Sequence, residues 1–418
     1  MKRLFFTQKN TFLTLLFLIC GVFSYAQNTQ EFKGKILDKD TSKALALADL
    51  TVNNSNISTI TNNEGEFILK VPEDLLDNSV SISYLGYKKL DVPLSEFKTI
   101  DTKIYLEQAA TVLAEIDLVV PKDARTLVSK TLSLKGENYF SENVFMTGFY
   151  RETIKKRNKN ASLSEAVVTI NKQSYTSNRN DGITLIKARK NTDYSRLDTI
   201  ALKLQGGPFS SLYTDVIKYP KFIFTDDNMD DYNFSFDRST QIDNRLVYVV
   251  NFKQNNNVFS PMYSGKLYID ANTYALTSAV YSLNVENREE ASKLFVRKKP
   301  RQAKVYPTEA SYRVNYKTKN GKWYFGYSNI LLTFKVNWKN RLFNSKYTLQ
   351  SEMAITDWNI DENLLTNKDT KRLRPTSILQ DQASGFSDPN FWGEYNIIEP
   401  EKSIESAIKK ISKNLKKV

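Results

Sequence analysis

The chain has 418 residues, of which 41% are hydrophobic and 12% aromatic, and its formal net charge is +13; that length is enough for two folded units, each with its own core. It contains no His, and its one Cys is Cys20, which excludes Ser–His and Cys–His catalysis, disulfides, and zinc sites built on imidazole or thiolate. Residues 27–120 hold nine Lys and no Arg against fifteen Asp and Glu, so the basic excess lies beyond them, and an acidic unit precedes a basic one that is suited to an anionic partner.

Residues 1–26 have the three parts of a secretory leader: basic Lys2, Arg3 and Lys9, an apolar run from Phe12 to Phe23, and the small-x-small site Ser24-Tyr25-Ala26. The run is shorter than the roughly 20 residues a span needs, so cleavage between Ala26 and Gln27 is expected, with no transmembrane span in the mature chain. Ile19 stands where a lipoprotein leader carries a small residue before its Cys, which favours plain cleavage over lipidation at Cys20.

From residue 27 to 107 short strands alternate with turns: Phe32 to Leu37, Asp49 to Asn53, Ser58 to Thr61, Gly65 to Val71, Ser79 to Tyr84 and Lys103 to Leu106. The Asn62-Asn63-Glu64-Gly65 cluster supplies residues tolerant of left-handed backbone angles just before alternation begins at Phe67. This density of strands predicts a seven-stranded β-sandwich.

The order Gly34-Lys35-Ile36-Leu37-Asp38, Ala46-Leu47-Ala48-Asp49-Leu50-Thr51-Val52, Asn62-Asn63-Glu64-Gly65-Glu66-Phe67 and Val80-Ser81-Ile82-Ser83-Tyr84-Leu85-Gly86-Tyr87 resembles the carboxypeptidase regulatory-like domain. The resemblance covers about a fifth of the chain and departs from the usual pattern at Ala48, where the family generally has Pro. It implies a non-catalytic, transthyretin-like sandwich of the kind found beside metallocarboxypeptidase domains and in front of TonB-dependent outer-membrane receptors. The carboxypeptidase itself would need a His-containing zinc site, which this chain cannot make.

Residues 108–122 read as a connector with Leu113, Ile116, Leu118, Val119 and Val120, and Asp123 to Gly136 as a helix that Gly136 ends. Residues 123–400 are then β-rich. Strands are expected at Val144 to Arg151, Glu165 to Tyr175, Gly182 to Ala188, Arg245 to Gln254, Tyr263 to Asp270, Ala275 to Asn284, Ser311 to Lys317, Trp323 to Tyr327, Ile330 to Trp338 and Tyr347 to Trp358, with an aromatic region from Tyr219 to Phe236. Thr318-Lys319-Asn320-Gly321 is a strong hairpin signal. Together these predict a large antiparallel curved sheet or half-barrel with a few helices. The hairpin from Gly265 to Leu276 resembles the repeated strand pair of lipoprotein-carrier half-barrels, which implies an incomplete barrel wrapped over helices with an apolar cleft. Alternation from Ile330 to Trp338 also suits an outer-membrane strand, but few other strands keep one face free of charge, so the soluble half-barrel is preferred. Residues 401–418 read as an amphipathic helix with Ile404, Ile408, Ile411 and Leu415 on one side and Lys413, Lys416 and Lys417 near its end.

Chemistry is sparse. Gly206-Gly207-Pro208-Phe209-Ser210-Ser211 lacks nucleophile-elbow spacing and any His, and so reads as a loop. Asp226, Asp227, Asp230 and Asp231 with Asn228 are oxygen donors without an EF-hand spacing and read as a solvated turn. Two basic runs, Lys155, Lys156, Arg157 and Lys159, and Arg297, Lys298, Lys299 and Arg301, suit lipid head groups or acidic glycans better than nucleic acid, an improbable partner for an exported protein; Lys298, Lys299 and Arg301 are the candidate anionic-surface contacts. No cofactor, metal or catalytic residue is expected. The reading is an exported, non-catalytic binding or assembly module of the periplasm or outer-membrane face, holding an apolar ligand or partner chain, with an unknown protein, glycan or lipid as partner at the cell envelope. The alternative is a carboxylate-dependent glycan hydrolase, for which no carboxylate pair stands out in the sequence.

Overall fold

In the front unit alternation carries one set of side chains inward: Phe32 and Ile36, Leu50 and Val52, Phe67, Leu69 and Val71, Val80 and Ile82, and Ile104 and Leu106 form one buried cluster. Its strands are β1 (Thr29–Asp38), β2 (Asp49–Val52), β3 (Ser58–Ile60), β4 (Glu66–Pro72), β5 (Ser79–Ser83), β6 (Leu90–Pro93) and β7 (Thr102–Leu106). They form a sheet β4-β1-β7 packed on a sheet β3-β2-β5-β6, with β1 and β7 parallel and the other pairs antiparallel. The Asn62 side chain closes the turn before β4, its Oδ1 accepting from the amides of Glu64 and Glu66, both at 2.9 Å, and Gly65 takes φ +72° there. This is a computed structural model of the chain, and it describes residues 29–109, 123–157, 159–192, 206–225, 227–296, 299–339, 342–359, 371–383, 388, 390–402, 404 and 406. The expected leader, most of the connector and most of the terminal helix lie outside these residues, as do Ala26, Gln27 and Lys298.

Asp123 caps α1 (Ala124–Ser133), its Oδ1 accepting from the Thr126 amide at 2.7 Å. The expected stop at Gly136 is corrected: Gly136 lies inside a second short helix, α2 (Lys135–Asn138). There follow β8 (Val144–Lys156), β9 (Lys159–Lys172), β10 (Gly182–Thr192), α3 (Pro208–Leu212), β11 (Tyr232–Ile242), β12 (Arg245–Gln254), β13 (Tyr263–Asp270), β14 (Leu276–Leu283), α4 (Arg288–Phe295), β15 (Ala303–Lys319), β16 (Lys322–Trp338), β17 (Ser345–Asn359) and β18 (Lys371–Arg372). β8 to β18 make one open sheet of eleven strands, in the order β11-β12-β13-β14-β15-β16-β17-β8-β9-β10-β18, in which β8 returns to pair with β17. The hairpin expected at Asn320-Gly321 is present, with φ of 51° and 75° at the two turn residues.

Two expectations are corrected. Trp323 to Tyr327 and Ile330 to Trp338 are one strand, β16, whose register slips where Asn315 pairs with Tyr327 and Tyr316 with Phe325. Gly326 is the bulged residue; Trp323 and Phe325 therefore join one core while Tyr327 turns to the opposite face. The aromatic stretch from Tyr219 is strand only from Tyr232 onward. Upstream, Phe209, Leu212, Val216, Ile217, Ile223 and Phe224 fill one face of the sheet together with Leu127 and Val128 of α1. Among the described residues no helix is long and apolar enough to cross a membrane.

The other face is covered by the sandwich and by the segment around residues 391–398. Ile60 and Ile68 meet Phe149, Val167, Tyr327 and Ala354 of the sheet, with Trp392, Ile397 and Ile398 between them. Polar groups fix the same joint. Asn56 Nδ2 donates to Trp358 O at 2.7 Å, Ser58 Oγ to Ile355 O at 3.0 Å and Thr59 Oγ1 to Ile397 O at 3.1 Å, and Asn396 exchanges two hydrogen bonds with the Lys70 backbone.

Candidate functional site

Three polar constellations stand out, and two of them are closed. On the face filled by α1 and α3, the ammonium of Lys172 sits 2.8 Å from Asp181 Oδ2 and 2.8 Å from Asp215 Oδ2. Its residue is 1% exposed. The rings of Tyr175 and Tyr219 lie 4.8 and 5.6 Å away. Burial works against the ammonium, but the two carboxylates overcome it and hold its pKa above the usual lysine value. The remaining carboxylate oxygens accept from the Gln173 amide and the Tyr316 hydroxyl, which leaves this group satisfied within itself.

On the sandwich face, Arg151 Nε donates to Glu165 Oε1 at 2.7 Å and Nη2 to Ile398 O at 2.8 Å, while Nη1 lies 3.3 Å from Glu352 Oε1. Arg189 takes the other oxygen of Glu165 at 2.7 Å. Burial would raise the Glu165 pKa, yet the two guanidinium groups bring it below the ordinary range. This network ties four strands, β8, β9, β10 and β17, to the terminal segment. Neighbouring Glu152 faces the opposite side of β8, where burial lifts its pKa to about 7 although the Tyr150 hydroxyl donates to it at 3.0 Å.

The third constellation is open. A cleft of about 420 Å³ lies between the outer face of the β2–β5 pair and the outer face of β14–β16. From the sandwich it is lined by Asp49, Thr51, Asn53, Ser81 and Ser83, and from the sheet by Arg313, Asn315 and Lys317, with the β11–β12 turn at one side. That turn is Asp243-Asn244, with φ of 51° and 60°. Asn244 Oδ1 accepts from the Lys89 amide at 3.0 Å, and Gly86 N donates to Gln241 O at 2.8 Å, which joins the hairpin to the sandwich. Lys317 pairs with Asp49 and donates to Ser58 Oγ at 3.0 Å; Thr51 Oγ1 donates to Asp49 Oδ2 at 2.8 Å. Arg245 lies 3.6 Å from Asp270 Oδ2. Burial raises the pKa of Asp243, and the charge of Asp49 adds to the rise. Half-buried Arg313 has no carboxylate partner among the described residues, and its charge is felt by the Tyr327 hydroxyl. The cleft therefore offers, amid amide and hydroxyl groups, a guanidinium with no carboxylate partner among the described residues.

The residues expected to be functional lie elsewhere. Lys299 and Arg301 are exposed in the loop between α4 and β15, and Lys299 Nζ donates to Ala303 O at 3.0 Å. Of the acidic run 226–231, Asp230 pairs with Arg125 at 2.6 Å and Asn228 bonds the Ile223 carbonyl. Gly206-Gly207-Pro208 leads into α3. The cleft residues were missed, although a signal was present: Arg313, Asn315 and Lys317 alternate with Tyr312, Val314 and Tyr316, which marks one polar face on β15.

Residues 32–118 match the family model of the CarboxypepD_reg-like domain, so the front unit is a carboxypeptidase regulatory-like domain, and the match runs past the boundary expected at 107. No curated protein matches the chain. Among solved structures, a LolA superfamily protein from Nitrosomonas europaea is 9% identical with a TM-score of 0.22, over 60% of this chain and 99% of its own. A DUF1329 family protein from Desulfovibrio piger is 8% identical with a TM-score of 0.21, over 56% of this chain and 93% of its own.

Proposed function

We propose that this chain is a non-catalytic binding module of the cell envelope, and that it holds a polar ligand bearing an anionic group in the cleft between its two units. The observation that carries the reading is the half-buried Arg313, without a carboxylate partner among the described residues, in a cleft to which both units contribute hydrogen-bonding side chains. A partly desolvated guanidinium gains more from a carboxylate or phosphate than an exposed one does. The two other buried ionic groups are closed on themselves and tie segments together. Export rests on the leader pattern at residues 1–26.

Calorimetric titration of acidic sugars, neutral sugars and acidic peptides onto the chain tests the reading. An acidic member is expected to bind, and Arg313→Ala to weaken it by about 2 kcal/mol, the scale of one charge-assisted hydrogen bond, with an unchanged melting temperature. Binding indifferent to Arg313→Ala, or confined to neutral sugars, contradicts it.

One observation favours a second reading. Asp49 and Asp243 share the cleft, where burial and the charge of Asp49 raise the pKa of Asp243 and Lys317 pairs with Asp49, and glycan hydrolases work through two such carboxyl groups. Turnover of a glycan panel, abolished by Asp243→Asn, would establish that reading in place of the first.

A further inference from the structure

The antiparallel register places the turns of the large sheet alternately at two rims. At one rim lie the β8–β9 turn, the β12–β13 loop, the α4 connection between β14 and β15, and the β16–β17 turn. Lys156 pairs with Lys159, Tyr263 with Leu283, Ala303 with Trp338 and Val336 with Ser345 at their bases. Two features coincide there. The described residues of 153–160, 253–263, 284–305 and 335–346 contain thirteen Lys and Arg against three Glu, and the only Asp beside them are Asp227, Asp230 and Asp231 before β11, where Asn255 of the β12–β13 loop bonds the Asp230 and Asp231 carbonyls and Asp230 pairs with Arg125. The turns also end in apolar side chains pointing into solvent: Leu342 is 97% exposed, Phe259 87%, Phe343 79% and Leu294 59%. No other large hydrophobic among the described residues exceeds the 74% of Ile100.

We infer that this rim is a docking face for an anionic membrane surface. Single exposed apolar residues need no explanation, but four of them on three neighbouring connections along one rim, set among lysines, match what an interfacial binder requires. The apolar tips enter the boundary between head groups and acyl chains, and the ammonium and guanidinium groups meet the anionic head groups beside them. Lys335, Lys339 and Lys346 are exposed on the strand ends that carry Leu342 and Phe343. Arg157, Lys159, Lys299, Arg301 and Lys304 are exposed on the neighbouring turns. At about 5 Å per strand the rim is wide enough to rest on a bilayer rather than on a single head group. The opposite rim cannot serve in this way because the sandwich is fixed against part of it.

The inference is independent of the cleft ligand and uses none of its residues. Its test is co-sedimentation of the full chain with vesicles of phosphatidylcholine, with and without phosphatidylglycerol. The apolar run 12–23 could bind lipid by itself, so binding is read as the difference between the native chain and variants that share it. The variant Lys335→Glu/Lys339→Glu/Lys346→Glu is expected to lose at least about tenfold in affinity for phosphatidylglycerol vesicles, since each cation near the surface is worth roughly fivefold. The variant Phe259→Ser/Leu342→Ser/Phe343→Ser should retain salt-sensitive attachment and lose the part that survives high salt. All six positions are exposed, so both variants should melt with the native chain. Equal binding of native chain and variants overturns the inference. So does capture by soluble heparin or polyglutamate without any vesicle binding, which would make the partner an acidic macromolecule.

Discussion

At one rim of the large sheet the turns are held down: Asn244 bonds the Lys89 backbone, Lys319 reaches Asn56, and Asn56 bonds the end of β17 at Trp358. At the other rim the turns project away from the sandwich, with exposed Phe259, Leu342 and Phe343 among lysines. The charge follows the same division. Residues 142–144, 172–182, 242–245, 270–276 and 317–322 of the first rim hold six Lys and Arg against four Asp and Glu, and the described turns of the other rim hold thirteen Lys and Arg against three Glu and the three Asp that precede β11. Cations near the covered rim are balanced because burying an unpaired charge is costly, whereas solvated cations can gather without carboxylates. A basic excess that looks diffuse in the composition is thus concentrated where the fold leaves surface uncovered.

The sharpest way to break this contrast is to cut the joint under the sandwich. Arg151→Ala removes the cation between Glu165 and Glu352 and the donor to Ile398 O. It should cost roughly 3–5 kcal/mol, because two carboxylates remain buried; urea denaturation read by tryptophan fluorescence measures the loss, and a change below about 1 kcal/mol would show the network to be dispensable.

Next in size is a pH effect at Glu152. Its pKa is raised to about 7 in the fold, so the native state holds its proton more tightly than the unfolded chain, and stability declines as pH rises from the ordinary glutamate range through about 7. Above that pH the full penalty is present, on the order of 3 kcal/mol for a shift of this size. Glu152→Gln should therefore stabilise the protein at pH 8, change little at pH 4, and flatten the dependence between them. A variant less stable at pH 8 would contradict the assignment.

Asn62 offers a smaller effect within the same joint. Its Oδ1 accepts from two amides of the β4 turn and its Nδ2 donates to Glu399 O at 3.2 Å, so Asn62→Ala should cost about 1–3 kcal/mol by stranding buried amides. A stability within measurement error of the native chain would show that water replaces those bonds. Smallest of all, Leu342→Ser and Phe343→Ser at the free rim should shift stability by less than about 0.5 kcal/mol; a loss comparable to that of Asn62→Ala would mean the rim is packed rather than presented.

Much of the fold was legible in the sequence because local rules determine it. Asn62 to Gly65 announces its turn, Asn320-Gly321 its hairpin, and alternation marks β12, β13 and β17. What was hidden depends on pairing between distant segments. Gly326 interrupts β16 only as a bulge opposite β15, which local pattern cannot tell from a turn. Lys172 meets Asp215 across forty-three positions, and the short, mostly exposed β6 carries little apolar signal. The cleft was half legible: the polar face of Arg313, Asn315 and Lys317 is written in β15, but the sandwich strands that oppose it are placed by the joint at Trp392, Ile397 and Tyr327. The basic runs were visible as runs, whereas their convergence with Phe259 and Leu342 on one rim required the register.

Lysine footprinting in the presence and absence of phosphatidylglycerol vesicles, read by mass spectrometry, tests the division between the rims most directly. The account predicts that Lys335, Lys339 and Lys346 are acetylated quickly in solution and become protected on the vesicles, while Lys317, with its side chain 13% exposed and paired with Asp49, reacts slowly in both. Rapid labelling of Lys317 in solution, or rim lysines that label equally with and without vesicles, would contradict it.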